Sequence, residues 1–396
     1  MSRRVLVAGV GMIPFSKPGR SEDYFEMGAK AVRAALDDAG LGYDTVQQAY
    51  AGYVYGDSTS GQRALYSVGM TRIPIVNVNN NCATGSSALW LARQAVESGA
   101  VECALAVGFE QMRPGALVNQ WGDRPAPMGR HAEVLDRTFG VDRDNPSMAM
   151  QYFGAAGREY IERYGMAPET LAKISVKSRR HAANNPFAVF RDPVTEEEVL
   201  GSPALYGPLT RLQACPPTCG AGAAIVCSED FARAHGLAPG VAIAAQSLVT
   251  DSPDVFTEDD MLKVVGADIT RTAAAEVYET SGVDPADIRV VELHDCFTVN
   301  EVLCYEALGL VGEGGAEKFI LDGDNTYGGR VVVNPSGGLL SKGHPLGATG
   351  LAQCAELVWQ LRGEAGARQV DGATVALQHN LGLGGAGVVT LYQKVS

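Results

Sequence analysis

Pro74-Ile-Val-Asn-Val-Asn-Asn-Asn-Cys82-Ala-Thr-Gly-Ser86 joins a β-branched strand pattern to a turn and then to a helix. Beyond it, Ala88-Leu89-Trp90-Leu91-Ala92 through Ala95-Val96 repeats apolar residues at the 3.6-residue helical period. Cys82 therefore stands at a helix N-terminus, where unpaired N–H groups and the helix dipole favour an anion. A thiolate is favoured there, which makes Cys82 a candidate nucleophile. The alternative is a small buried residue in a tight turn, as free cysteines often are.

Strand–turn–helix units recur outward from this stretch. Val5-Leu-Val-Ala-Gly-Val-Gly11 reads as a strand, followed by a helix over 27–39 that ends at Gly40 and a strand over 49–55. The same order returns with a strand from Val241, a helix over 272–280 ending near Gly282, and the strand Val290-Val291-Glu292-Leu293. Val331-Val-Val-Asn334 then leads through a Gly/Ser turn to a helix over 346–361, as residues 76–81 lead into the helix after Cys82. Strands alternating with helices of this length indicate α/β layers. The reading is two related halves with an insertion: 1–115 with 211–236, an inserted segment 116–210, and 237–396. The insertion carries Trp121, Tyr152, Phe153, Tyr160, Tyr164, Phe187 and Phe190 with little strand pattern, and inserted loops on a rigid scaffold commonly hold substrate. Gly220-Ala-Gly-Ala-Ala-Ile-Val-Cys227 reads as a buried strand returning to the first half.

Bulk properties narrow the function. At 396 residues, 46% hydrophobic and 19% charged, the chain can bury a large core. A formal charge of −13 argues against nucleic acid as a partner. No apolar run approaches the roughly 18 residues of a membrane span. The N-terminal run lacks the core and cleavage site of a signal peptide, and Gln393-Lys-Val-Ser396 is not a peroxisomal tripeptide, so a cytoplasmic enzyme is expected. Disulfides are not expected among the eight cysteines. Cys215-x-x-x-Cys219 lacks a second Cys/His pair at zinc spacing, so no metal is expected.

Three of the six histidines fall in the last 105 residues. His294 follows the strand ending at Leu293, within His294-Asp-Cys-Phe297. His344 precedes a helix in Ser341-Lys-Gly-His-Pro-Leu-Gly-Ala-Thr-Gly350. His379 opens a glycine-dense loop, Gln378-His-Asn-Leu-Gly-Leu-Gly-Gly-Ala-Gly387. Ligands of α/β sheets collect at strand C-terminal ends, where these residues and Cys82 are expected. His344 can take a proton from a nucleophilic cysteine. Cys296 is either a buried strand-end thiol or a second acid/base, which suits a reaction moving a proton to and from carbon. Gly382, Gly384, Gly385 and Gly387 either form a tight turn or let N–H groups approach a thioester oxygen. The basic run 173–181, with Lys177 and Arg180, is either a solvated helix face or a weak candidate for contacting ligand phosphates.

Asn79-Asn-Asn-Cys-Ala-Thr-Gly85, His294-Asp-Cys-Phe297, Asn334-Pro-Ser-Gly-Gly through Gly343-His-Pro-Leu-Gly-Ala-Thr-Gly350, and Gln378-His-Asn-Leu-Gly382 together resemble the sterol-carrier-protein type of thiolase. The likeness extends to Gly52-Tyr-Val-Tyr-Gly-Asp-Ser58 and Gly323-Asp-Asn-Thr-Tyr-Gly-Gly329 and covers nearly the whole chain. It implies a thiolase-like fold: two five-stranded half-folds in a layered α/β/α/β/α core, with an inserted loop domain holding coenzyme A. It also implies an acyltransferase that cleaves 3-oxoacyl-CoA with coenzyme A as co-substrate, no permanently bound cofactor, and a homodimer or homotetramer. Cys82 would be the acylated nucleophile and His344 its activator. Cys296 would be the acid/base, and His294 an oxyanion-site residue in place of the asparagine of ordinary thiolases. Ordinary thiolases carry their acid/base in a C-terminal Cys-x-Gly motif, and this chain has no cysteine after Cys354. The chain stops at Ser396 without the sterol carrier domain of the animal fusion protein, so thiolase chemistry rather than lipid transfer is expected. Cys219 stands where the family pattern usually has Asp. Alternatives are condensation in the biosynthetic direction, with His344 and Asn380 completing a Cys-His-Asn set, a retro-aldolase, or a non-catalytic acyl-CoA or lipid carrier.

Overall fold

The computed structural model describes residues 3–114, 121–144 and 147–395. The expected junction at 115/116, the Met1–Ser2 start and Ser396 lie outside them. Ten strands form one ladder: β1 (Val5–Met12), β2 (Gln48–Gly52), β3 (Ile75–Val78), β4 (Cys103–Glu110), β7 (Gly220–Ser228), β8 (Val241–Val249), β9 (Val290–Glu292), β10 (Val332–Val333), β11 (Val375–Gly382) and β12 (Ala386–Lys394). A separate hairpin joins β5 (Ala204–Tyr206) to β6 (Leu209–Thr210).

The repeat read from the sequence is the organising feature of the sheet. The first half runs β3-β2-β4-β7-β1 and the second β10-β9-β11-β12-β8. In each half the first three strands are mutually parallel and the last two antiparallel to their neighbours. The halves meet through β1 and β8, with Val5 opposite Ile243 and Leu6 opposite Ala242. Every residue of β1, β4 and β7 is buried, as their continuous apolar runs require of strands covered on both faces.

Helix composition sorts the layers. The helix Tyr24–Ala39 buries one face, through Met27, Ala31, Val32, Ala35 and Leu36, and stops at Gly40 in the left-handed conformation. It covers the first half from outside, as Ala267–Ser281 covers the second. The helix Thr349–Arg362 is buried nearly all round and packs on Thr84–Glu97, which has the same internal position. Both touch strands of each half, so they form the middle layer of an α/β/α/β/α stack.

These two helices approach closest at their N-termini. A Cβ on Gly85 would lie 2.7 Å from the Gly347 carbonyl oxygen, and one on Gly350 would collide with Ser86 and lie 2.7 Å from Asn380 Oδ1. Helices Met148–Tyr164 and Thr170–Ala182 lie over the second half, where Tyr152, Phe153, Leu171 and Ile174 share a core with Val291, Leu293 and Phe297.

One sequence expectation fails here. Gln378–Gly382 is not a loop: β11 continues through it, buried, and pairs with β12 to Gly382 opposite Ala386. The insertion has little strand, the short β5–β6 hairpin.

Gly350→Ala should destabilise the fold by about 1–3 kcal/mol through overpacking against Ser86, read as a lower urea midpoint at unchanged slope. Gly122→Ala, with no neighbour within 4 Å of its Cβ position, should change stability by less than about 0.5 kcal/mol.

Candidate active site

Cys82 lies between β3 and the helix Thr84–Glu97, with Ala83 at the cap. The turn is tight because Asn81 takes a left-handed φ of 52°. Asn81 Nδ2 donates to the Leu383 carbonyl at 3.0 Å, and the Asn80 carbonyl leaves room only for glycine at position 382. The β11–β12 hairpin therefore braces the Cys82 turn.

Ligand-type atoms of Cys82, His294 and His344 all lie within 4.8 Å of one another. His294 follows β9, and His344 precedes the helix Thr349–Arg362. The two imidazoles stand edge to face, with centroids 5.0 Å apart and planes at 87°. His344 is fixed through backbone and side chain: its N–H donates to Thr218 Oγ1 at 2.6 Å, and its Nδ1 meets Thr349 Oγ1 at 2.7 Å. Thr349 Oγ1 donates to the Pro345 carbonyl at 3.0 Å, so its proton is committed. It must then accept from His344 Nδ1–H, which leaves Nε2 with a free lone pair. That atom is buried and has no hydrogen-bond partner.

The site is largely buried, and burial favours the neutral form of each group. Burial pushes the Cys82 thiol up to about 12, helped by the negative charge of Glu110 and opposed by its own backbone N–H. The expected helix-terminus preference for thiolate is thus outweighed by desolvation. Burial holds His344 down at about 3 and pushes His294 well below its ordinary value, where His344 and His379 add to the shift. Part of Cys82 remains open to solvent, as a nucleophile must be.

Cys296 is buried, and burial raises its thiol well above the usual range, with Cys215 and then Cys82 adding to the shift. Its carbonyl accepts from Cys215 N–H at 2.8 Å. Asp295, between His294 and Cys296, accepts from Leu339 N–H at 2.7 Å and Leu340 N–H at 3.4 Å. Burial lifts its carboxyl to about 8, with Glu301 as the next cause. It ties the His294-Asp-Cys loop to the short helix Gly338–Ser341 that leads to His344.

Sequence reading missed the residues that hold these groups. Glu110 accepts from Tyr55, Gly347 and Val54 N–H groups at 2.9, 3.0 and 3.1 Å, and burial raises it to about 7. Thr218 was equally silent, whereas Thr349 stood inside the Gly343–Gly350 motif without a role and Cys215 drew notice only as half of a Cys-x-x-x-Cys pair.

Two other candidates are corrected. His379 is not at the site: it bonds Thr270 Oγ1 at 3.0 Å and Cys304 Sγ at 3.4 Å on the opposite face of β11 from Asn380. Lys177 is neither solvated nor available to a phosphate, because it is buried in an ion pair with Glu301 beside Tyr305. Removing one partner of such a pair costs about 3–5 kcal/mol. Arg180 is exposed, donates to Thr326 Oγ1 at 3.0 Å, and lines a cavity of about 340 Å³ with His181, Asn184 and Tyr327. None of these belongs to the Cys82 cluster. Cys219 Sγ accepts from Met112 N–H at 3.2 Å, and the Cys215 backbone N–H donates to the Cys296 carbonyl. A thiol and two imidazoles at the Cys82 spacing offer donor types a soft divalent ion takes.

Among the described residues no helix is long and apolar enough to cross a membrane. Residues 5–230 match the thiolase N-terminal domain family and residues 250–392 the thiolase C-terminal domain-like family. Over 395 residues the chain is 54% identical to sterol carrier protein 2 of Homo sapiens, covering 99% of this chain and 72% of that one. Over 388 residues it is 36% identical to the benzoylsuccinyl-CoA thiolase subunit BbsB of Thauera aromatica, covering 97% and 96%. The solved Ltp2-ChsH2(DUF35) aldolase matches 99% of this chain and 98% of its own, with a TM-score of 0.83 and 25% identity. With Cys82 facing two histidines across a duplicated α/β core, and both domain families matched in order, the chain belongs to the thiolase family of acyltransferases.

Proposed function

We propose that the protein cleaves 3-oxoacyl-CoA with coenzyme A, releasing acetyl-CoA or propionyl-CoA and a shortened acyl-CoA, in fatty-acid or sterol side-chain β-oxidation. The observation that carries this reading is the meeting of Cys82 with His344 and His294 beside a second thiol, Cys296. His344 Nε2 takes the Cys82 proton, and the thiolate attacks the 3-keto carbon. The Cα–Cβ bond then breaks, and its electron pair passes into the thioester enolate. His294, with the protonated His344, stabilises the oxyanion, a contribution of about 10²–10³ in rate per donor. Cys296 gives its proton to the enolate carbon. The resulting Cys296 thiolate takes the proton of incoming coenzyme A, which displaces the acyl group from Cys82, and His344 returns its proton to Cys82.

The second thiol favours this direction over a decarboxylating condensation, which moves no proton at carbon through a cysteine. The segment 116–210 is the part we assign to coenzyme A and the acyl chain, supported by Phe153 stacking 4.9 Å from Phe297, next to Cys296. A homodimer or homotetramer fits the family, and the edge strand β3 exposes Val76.

A panel of straight, 2-methyl-branched and sterol-derived 3-oxoacyl-CoAs should be cleaved only when coenzyme A is supplied. Cleavage without coenzyme A would turn the assignment to a retro-aldolase, and no cleavage with a stable bound acyl-CoA would turn it to a carrier. Cys82→Ala should abolish turnover and the acyl-enzyme seen by mass spectrometry. Cys296→Ala should lower turnover by about 10²–10⁴ while Cys82 remains alkylatable; wild-type rates in either variant would sink these roles. Because burial pushes the Cys82 thiol up to about 12, its alkylation by iodoacetamide in the free enzyme should rise about tenfold per pH unit above neutrality. A plateau below pH 8 would mean a resting thiolate instead.

A further inference from the structure

Hydrogen bonds through a buried side-chain network have a direction, and a backbone carbonyl fixes it because it can only accept. Gln378 Nε2 donates to the Gly350 carbonyl at 2.7 Å, while Tyr392 donates to Gln378 Oε1 at 2.5 Å. The amide of Gln378 is therefore oriented: one Nε2 hydrogen goes to the Gly350 carbonyl, and the other is shared between Ser86 Oγ at 2.9 Å and the longer contact to Gln353 Oε1. Gln353 agrees: its Nε2 is held by the His379 carbonyl at 3.1 Å, so Oε1 faces Gln378 Nε2 at 3.3 Å.

Ser86 Oγ has accepted a hydrogen from Gln378, and its own proton goes to Asn380 Oδ1 at 2.8 Å. Asn380 then presents Nδ2 to His294 Nδ1 at 2.9 Å. A flipped Asn380 would aim its amino group at Ser86 and leave the Ser86 proton without this acceptor. Ser86, Gln378, Asn380 and His294 are all at least 98% buried, so an unmade bond would cost its full desolvation.

We propose that Asn380 is a positioning residue that holds His294 with its proton on Nε2, through a chain anchored on the Gly350 carbonyl. The proposal rests on the thiolase reading for its consequence: His294 is an oxyanion donor only in this tautomer. His344 is held in the opposite one by Thr349 and the Pro345 carbonyl. Two neutral imidazoles thus face one thiol, one as base and one as donor. The same hold removes one of the three lone pairs a metal would need from Cys82, His294 and His344.

Uniform ¹⁵N-histidine labelling of the whole protein tests this, with the His294 ring assigned by its loss in His294→Asn. Long-range ¹H–¹⁵N correlation should give a protonated Nε2 and a bare Nδ1 for His294. In Asn380→Asp the carboxylate accepts from Nδ1–H, so the pattern should invert, with kcat down about 10²–10³-fold and KM little changed. Ser86→Ala, a smaller perturbation, should populate both tautomers with a smaller loss in kcat. A wild-type proton on Nδ1, or a single Nε2–H tautomer persisting in either variant, would overturn the proposal. The spectra need no turnover, so a wild-type enzyme that cleaves no 3-oxoacyl-CoA would overturn the proposed function while the tautomer is still decided.

Discussion

The site depends on the contact between the N-termini of the two central helices. Gly85 and Ser86 of one helix meet Gly347 and Gly350 at the start of the other, closely enough that no Cβ fits on Gly85 or Gly350. The turn before each helix carries one of the paired side chains: Cys82 before Thr84–Glu97, and His344 before Thr349–Arg362. A wider crossing would part the Cys82 thiol from the His344 imidazole, and small residues at this point are what let two backbones approach. Ser86 shows how economical the contact is, since the hydroxyl that fills it also belongs to the chain leading to His294.

Burial then sets the electrostatics. Cys82, Cys296, His294 and His344 all shift toward their neutral forms, and desolvation is the first cause for each. A buried, neutral site makes charge costly, which is the setting in which the proposed mechanism has fixed donors meet a developing oxyanion. Glu110, Asp295 and Lys177 take no part in bond changes in this scheme. They are buried polar groups committed to backbone N–H groups or to an ion pair, and they lock the loops on which the reacting groups sit.

Much of this was legible in the chain. Apolar periodicity and capping glycines gave the two halves their order, because Gly40 and Gly282 must each end a helix in the left-handed conformation. Cys82, His294, Cys296 and His344 stand out in the chain because each sits in a motif at the end of a strand or the start of a helix, and the fold brings Cys82, His294 and His344 within 4.8 Å of one another. His379 misled for a physical reason: glycines at 382, 384 and 385 looked like a loop, but strand alternation sends His379 to one face and Asn380 to the other. Lys177 misled because composition cannot reveal that Glu301 waits on a helix more than a hundred residues away. The positions of Thr218, Glu110 and Ser86 depend on tertiary contacts, and no local pattern marks them.

Duplication explains how one fold came to hold unlike partners. Asn81 and Asn334 both take left-handed backbone, with φ of 52° and 54°, just beyond β3 and β10, the corresponding strands of the two halves. In the first half the chain enters its central helix almost at once, and the turn has room for Cys82 alone. In the second, the short helix Gly338–Ser341 and the Lys342-Gly343-His344 run intervene before Thr349. That extra chain carries His344 and is fastened by Asp295 to the loop of His294 and Cys296. The shared template therefore brings two strand ends to one place, and the difference in length between the turns divides the proposed roles: one half offers the Cys82 thiol, and the other offers the groups to which the proposed mechanism gives its proton.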